Sequence, residues 1–321
     1  MEQTEKIDIL LATYNGEKYL KEQLDSILSQ TYSNIQLIVS DDASCDSSKE
    51  ILNEYEKKDS RVKVYYRENN IGSNANFEFL LTKVESDYYM FSDQDDVWMK
   101  DKVEKTFSLL KKKKAGLVCT DLMIVDENLN SQNITFNRKM KKLYKLKKYN
   151  DTRMVFLYNV VTGCTILSRK EYIKYILPLP KTKNVLHDHF IPLVISKYAT
   201  IEYLDEPTMY YRQHANNQVG TKRYTDKFST FDDTRNYLID LKIDIFNTYL
   251  ERKDVLSSYY ENLAKDSIIY FEGVKKVKGI NFKNLKTFNE LYKNDKFSYR
   301  FWNSMLFNVP CVARIWYKLF M

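Results

Sequence analysis

The first hundred residues alternate short apolar runs with helically spaced ones, and few folds can use that pattern. "IDILLATY" is an apolar run that stops at the turn signal Asn15-Gly16. Tyr19, Leu20, Gln23, Leu24, Ile27 and Leu28 then recur at helical spacing. "IQLIVS" predicts a second strand ending at Asp41-Asp42, and "SSKEILNEYEKK" a helix that Ser47 or Ser48 would cap. "VKVYYRE" predicts a strand, "NANFEFLLTKVE" a helix and "DYYMFSD" a fourth strand. Strands that alternate with helices imply an α/β fold with a mostly parallel sheet covered on both faces.

Ligands of such sheets bind beyond the carboxyl ends of the strands. Here the first strand ends in Thr13-Tyr14-Asn15, the second in Asp41-Asp42 and the fourth in Asp93-Gln94-Asp95-Asp96. Three polar clusters therefore converge on one edge. In an extended Asp-x-Asp the two side chains point the same way, so Asp93 and Asp95 are expected to face one ligand and Asp96 to turn toward the next backbone turn. Oxygen-rich clusters suit Mg²⁺ or Mn²⁺, whose shell is completed by phosphate oxygens and water. The competing reading is a loop that caps a helix beginning near Trp98-Met99.

Charge is unevenly spread along the 321 residues. The first hundred carry 11 Lys and Arg against 20 Asp and Glu; the remainder carries 39 against 23, for a total of +7. A basic back half favours phosphate-rich partners, or is simply a solvated lysine-rich surface. Cys45, Cys119, Cys164 and Cys311 are far apart, which argues against a zinc knuckle and for a reduced chain. The polar start and the lack of a long apolar stretch predict neither a signal peptide nor a transmembrane span.

Beyond residue 100, "AGLVCTDLMIVDENLN" predicts a strand entering a hairpin or extended turn, "LHDHFIPLVISKY" a helix from about His187, and "ATIEYLDEPTMYYRQHANN" a strand with a turn at Pro207. From about Arg223 the periodicity is helical, which puts a boundary near residues 216–223.

The chain resembles the family 2 glycosyltransferases, which carry the nucleotide-diphospho-sugar-binding GT-A fold. The resemblance rests on "ILLATYNGEKYLKEQLDSILSQTYSNIQLIVSDDASCDSS", "NNIGSNANF", "YYMFSDQDDVWMKDKV", "NVVTGCTILSRK", "HDHF" and "YYRQHANNQVG", in the family's order across roughly residues 7–220. Within the family, "SDQDDVW", "VTG", "HD" and "YRQHxxN" look most like bacterial rhamnosyltransferases of cell-wall rhamnose polysaccharide and capsule synthesis. The expected organisation is a GT-A catalytic domain over residues 1–220 and a C-terminal helical, basic and aromatic region over 221–321. Within the former, a nucleotide-sugar half spans about 1–100 and an acceptor half about 101–220.

The resemblance also implies roles. Thr13, Tyr14 and Asp42 would hold the nucleoside: Tyr14 by stacking, Asp42 by accepting the base N3–H. Asn15 would shape the turn, and Glu17 would either contact nucleotide or open the helix. Asn70, Gly72 and Asn74 sit where the family reads the nucleotide's sugar side, with Gly72 allowing close approach; an ordinary loop would use the same residues. Asp95 is expected to ligate the metal and Asp93 to meet the ribose or bind through water. Asp188 matches the catalytic base and also a helix cap. The His187-x-His189 pair has no third ligand for zinc. In "YYRQHANN", Arg212 suits phosphate and His214 suits the metal, with Gln213 and Asn217 in the same lid. Thr162-Gly163 would floor the acceptor site and leave room for a sugar, or merely turn.

Together these imply an inverting, metal-dependent transfer from a pyrimidine nucleotide-diphospho-sugar, best read as dTDP-L-rhamnose. The alternative donor is a UDP-sugar (Gal, Glc, GlcNAc or GalNAc). The acceptor would be a growing cell-surface saccharide, polyprenyl-diphosphate-linked. The lysine-rich residues 139–148 and the aromatic tail 297–321, interrupted by Pro310, suit peripheral contact with the inner face of the cell membrane. Otherwise the tail packs on the catalytic domain or forms a dimer. No motif supports nucleic acid. A sugar-nucleotidyltransferase would need a glycine-rich loop where "TYNGEKYL" stands. An inactive sugar-nucleotide-binding scaffold would tolerate loss of an acid at 93, 95 or 188, and all three are present.

Overall fold

The apolar runs of the front half form β1 (Ile7–Thr13), β2 (Ile35–Asp41), β3 (Val62–Tyr66) and β4 (Tyr88–Ser92), all paired in parallel. The computed structural model describes residues 5–137, 152–214, 230–277, 285–293, 297–311 and 313. The lysine-rich residues 139–148, Asn217 and the last eight residues of the tail lie outside this set.

α1 (Leu20–Leu28), α2 (Ser48–Lys58) and α3 (Ser73–Leu81) connect these strands. Leu20, Leu24 and Ile27 put one face of α1 against Ile7, Ile9 and Leu11 of β1, a contiguous apolar core that removes most of these side chains from water. Ser47 occupies the cap position of α2, but its side chain makes no capping bond. The Asp46 carboxylate accepts the Ser48 N–H at 3.0 Å instead, and Glu17 accepts the N–H of Ser47 itself at 2.9 Å. Asn15, at φ 49°, shapes the turn and accepts the Cys45 N–H at 2.9 Å.

After β4 the chain makes the two-residue strand β5 (Val97–Trp98) before α4 (Lys102–Lys113), so the expected helix start near Trp98 lies at Lys102. β6 (Leu117–Val125) and β7 (Ser131–Thr135) form the expected hairpin. Then follow α5 (Thr152–Leu157), β8 (Leu167–Arg169), α6 (Ile173–Ile176), α7 (His187–Ile195) and β9 (Ile201–Arg212). Pro207 does not turn the chain. It sits where the β6–β9 register shifts, a bulge that tolerates a residue without N–H.

The sheet order is β3-β2-β1-β4-β8-β6-β9-β5, with β7 on β6. β8 is antiparallel to both β4 and β6, and β9 is parallel to β6. So β1, β2, β3, β4, β6 and β9 all point one way, and their carboxyl ends share one edge.

The chain divides into two units. The sheet unit holds Met1–Lys139, Lys148–Lys181 and Leu186–Asn216; the other holds Met140–Lys147, Thr182–Val185 and Asn217–Met321. In the second, α8 (Phe231–Glu251), α9 (Ser258–Lys275), α10 (Leu285–Tyr292) and α11 (Phe297–Asn308) enclose Phe246, Tyr249, Tyr270, Phe271, Phe288 and Phe307. The Thr230 side chain caps α8 by accepting the Asp233 N–H at 3.1 Å. α11 ends at Asn308, ahead of Pro310. Among the described residues, no helix is long and apolar enough to cross a membrane.

Candidate active site

Register brings the polar strand ends together. Thr13 lies beside Asp41, Leu11 beside Ser92, and Val125 beside Arg212. The acidic loop is strapped down from α1. Gln23 Nε2 donates to Ser92 Oγ at 2.7 Å, the Trp98 N–H donates to Ser26 Oγ at 3.0 Å, and Gln30 Nε2 donates to the Met99 carbonyl at 2.8 Å. From inside the loop, Gln94 binds the end of β1. Its Oε1 accepts from Thr13 Oγ1 (2.6 Å) and the Tyr14 N–H (2.7 Å), and its Nε2 donates to the Tyr14 carbonyl (3.1 Å).

The loop bends at Gln94 and Asp95, so the two-residue alternation of a strand does not hold there. Asp96 turns inward and is fully buried; Oδ1 accepts the Arg212 N–H at 3.2 Å, and Oδ2 has no hydrogen-bond partner. It joins Asp93 and the Cys164 thiol in a group whose atoms lie within 4.8 Å of one another. Asp95 faces His214 instead, Oδ2 to Nε2 at 2.8 Å, with the imidazole on the Tyr19 ring at 5.0 Å between centroids. The expected metal pair, Asp95 and His214, is thus brought together. The expectation that Asp96 points away is corrected.

Burial, then the charges of Asp95 and Asp188, push the Asp93 carboxyl up to about 7. Burial likewise raises Asp96 well above the usual carboxylate range. Beneath them lies Lys102, fully buried, its Nζ donating to the Cys164 carbonyl at 2.6 Å and lying 4.3 Å from the centre of the Trp98 ring. Burial pulls its ammonium down to about 8. The Cys164 thiol is raised well above its ordinary value, mainly by burial, so it stays protonated and is a poor partner for a hard cation.

Three side chains expected on the ligand are turned onto the protein. Asp42 is 2 % exposed, and its two oxygens accept the N–H groups of Ile71 and Gly72, each at 2.9 Å. It shapes the loop rather than offering an open acceptor to a base. Gly72 has φ 84°, a left-handed conformation that explains it without any close approach. Asn74 spans two segments, donating to the Pro180 carbonyl (2.8 Å) and accepting the His187 N–H (2.7 Å), so it caps α7. The Arg212 guanidinium, buried beside the Tyr19 ring, donates to the Asp95 and Glu127 carbonyls and to Glu22. It pins the acidic loop and is not presented to a diphosphate. Tyr14 remains 44 % exposed at the mouth.

Asp188 stands in the first turn of α7, where the helix start favours negative charge. Leu186 occupies the cap position without a side-chain cap and Asn74 accepts the His187 N–H, so the second role expected of Asp188 is taken by another. Burial pushes its carboxyl up to about 6, while Asn159 Nδ2, donating at 2.9 Å, and the Gly163 N–H favour the ionised form. Thr162 precedes the short helical turn Gly163–Thr165, and the space a Gly163 side chain would fill is taken by His187. The glycine makes room for that ring.

The model of the family described as glycosyl transferase family 2 matches residues 8–176. The chain belongs to this family. A dTDP-rhamnosyl transferase, RfbG of Shigella flexneri, is 32% identical over 226 residues, covering 65% of this chain and 73% of that protein. The putative teichuronic acid biosynthesis glycosyltransferase TuaG of Bacillus subtilis is 28% identical over 182 residues, 56% and 69% of the two chains. The fold matches S. aureus TarS 1–349, solved with UDP (TM-score 0.54, 18% identity, 83% of this chain and 71% of that one). It also matches the mannosyltransferase PcManGT of Pyrobaculum calidifontis, solved with GDP-Man and Mn²⁺ (TM-score 0.53, 14% identity, 99% and 88%).

The site of this family 2 transferase fits a divalent cation. A carboxylate and an imidazole meet at one point, and further carboxylates stand behind it, a donor set suited to Mn²⁺ or Mg²⁺. The Asp95–His214 contact needs a proton on Nε2; with the proton on Nδ1, both atoms offer a lone pair to a cation. In this transferase Gln94, Lys102, Cys164 and Asn159 also belong to the site. Gln94 lies inside the acidic motif, but nothing local marks it as the partner of Tyr14. Lys102 is one lysine among many, and only the fold shows that it is buried.

Proposed function

We propose that this transferase moves a sugar, with inversion, from a pyrimidine nucleotide-diphospho-sugar to a hydroxyl of a cell-surface saccharide. The observation that carries the reading is the arrangement of Asp95 and His214 at one sheet edge together with a separate acid, Asp188, held near 6. Asp188 accepts the proton of the acceptor hydroxyl as that oxygen bonds to C1 of the sugar. The bond from C1 to the diphosphate oxygen breaks, and the nucleoside diphosphate leaves. Asp95 and His214, with Asp93 through water, would hold a divalent cation, which would supply neutralising charge to that leaving group. Tyr14 would stack on the base, a role its exposure supports, while Thr13 and Asp42 brace the neighbouring loops.

dTDP-L-rhamnose is the donor we favour, supported by the similarity to the dTDP-rhamnosyl transferase of Shigella flexneri. A β-linked donor would give an α-rhamnoside. The test is thermal stabilisation by a panel of nucleotides and nucleotide sugars with Mn²⁺, Mg²⁺ or EDTA. The expected result is a metal-dependent rise larger with dTDP and dTDP-rhamnose than with UDP-sugars. A preference for a UDP-sugar would overturn rhamnose and keep the transferase. No rise with any nucleotide would overturn the donor site.

We also assign the acceptor to a polyprenyl-diphosphate-linked saccharide at the membrane surface, supported by the basic, aromatic back half of the sequence. Sedimentation with anionic vesicles tests this. Failure to co-sediment at low salt would remove it.

A further inference from the structure

We propose that His187 and Gly163 form a steric lock that fixes the position of Asp188, an inference that rests on Asp188 being the base. His187 opens α7, and its backbone N–H is held by Asn74. Its ring is packed against Phe77 (4.2 Å between centroids) and Phe91 (5.1 Å). These walls belong to α3 and β4 and are 1% and 0% exposed. Neither ring nitrogen of His187 has a hydrogen-bond partner, so shape alone places the ring.

The remaining wall is the backbone of Gly163. A Cβ built there would stand 2.5 Å from His187 Nε2, 3.3 Å from its Cε1 and 3.3 Å from the Cβ of Asp188. The backbone of Gly163 is not left-handed, so the turn does not require glycine. What requires it is the imidazole edge against it. The same added Cβ would press on the ring and on the Asp188 Cβ, so one residue borders both. With Phe77 and Phe91 packed on the same ring, an added methyl must displace the ring or the backbone that carries it, the start of α7. That start carries Asp188.

The roles assigned are positioning ones: Gly163 and His187 do not touch the reacting atoms. A misplacement of about 1 Å costs roughly 100-fold in rate. Gly163→Ala is therefore expected to lower kcat about 100-fold, with the donor Kd from calorimetry unchanged within about twofold. The double variant Gly163→Ala/His187→Ala, which reopens the space, should recover at least about tenfold of that loss. A wild-type kcat for Gly163→Ala, or a double variant no faster than Gly163→Ala, would overturn the lock. If Gly163→Ala does not fold, His187→Ala decides: kcat about tenfold lower with donor affinity kept supports the lock, and an unchanged kcat overturns it. Asp188→Asn is run in parallel. Full transfer by that variant removes the base assignment itself, whereas an inactive Asp188→Asn beside a fully active Gly163→Ala removes only the lock.

Discussion

His214 Nε2 lies 2.8 Å from Asp95 Oδ2, across 119 positions of sequence. The contact joins the end of β9 to the acidic loop and gathers two good ligand types at one point. His214→Ala is expected to weaken Mn²⁺ activation at least about tenfold while leaving the melting midpoint near wild type. Asp95→Ala should abolish turnover. Activity of either variant that persists undiminished in EDTA would count against a metal at this pair.

Arg212 plays a different part from its neighbour. Its guanidinium is spent on Glu22 and two backbone carbonyls, a geometry a lysine cannot reproduce. Arg212→Lys should therefore cost stability, on the order of 1–2 kcal/mol by urea unfolding, from buried carbonyls left without a donor. An unfolding midpoint equal to wild type, with lost diphosphate affinity, would restore Arg212 as a phosphate ligand.

Lys102 places a buried ammonium below Asp93 and Asp96. Lys102→Met removes that charge from beneath the acidic loop. Calorimetry should show a lower midpoint in EDTA and a larger rise on adding Mn²⁺ than the wild type gives. Equal Mn²⁺-induced rises would show that Lys102 does not balance the acids.

Asp188 must be ionised to act as a base, and burial holds its carboxyl up at about 6. The transfer rate should climb through that pH and level off above it. Asn159→Ala removes a donor that favours the ionised form, so the rising limb should move to higher pH. A limb that stays in place would remove Asn159 from this role.

The parallel strands were legible because buried strands are written as apolar runs bounded by turns, as in "IDILLATY" and "IQLIVS". β5 was not, because two residues carry no periodicity. Its existence depends on β9, more than a hundred positions away. The bend at Gln94 and Asp95 defeated the alternation argument for Asp96. Asp42, Asn74 and Arg212 lie near the strand ends, but their partners are backbone groups of distant segments and, for Arg212, also the Glu22 side chain. A polar side chain beyond a strand end can face a ligand or brace the loop, and residue type does not separate the two. Asp95 meets His214 and Asp188 meets Asn159 because each stands where two segments converge.

The most direct measurement is transfer and donor binding by Asp188→Asn in the presence of Mn²⁺. The account predicts a donor Kd within about threefold of wild type and a kcat lower by at least about 1,000-fold, the upper part of the range for loss of a general base with its positioning. Transfer at the wild-type rate, with donor binding intact, would contradict it.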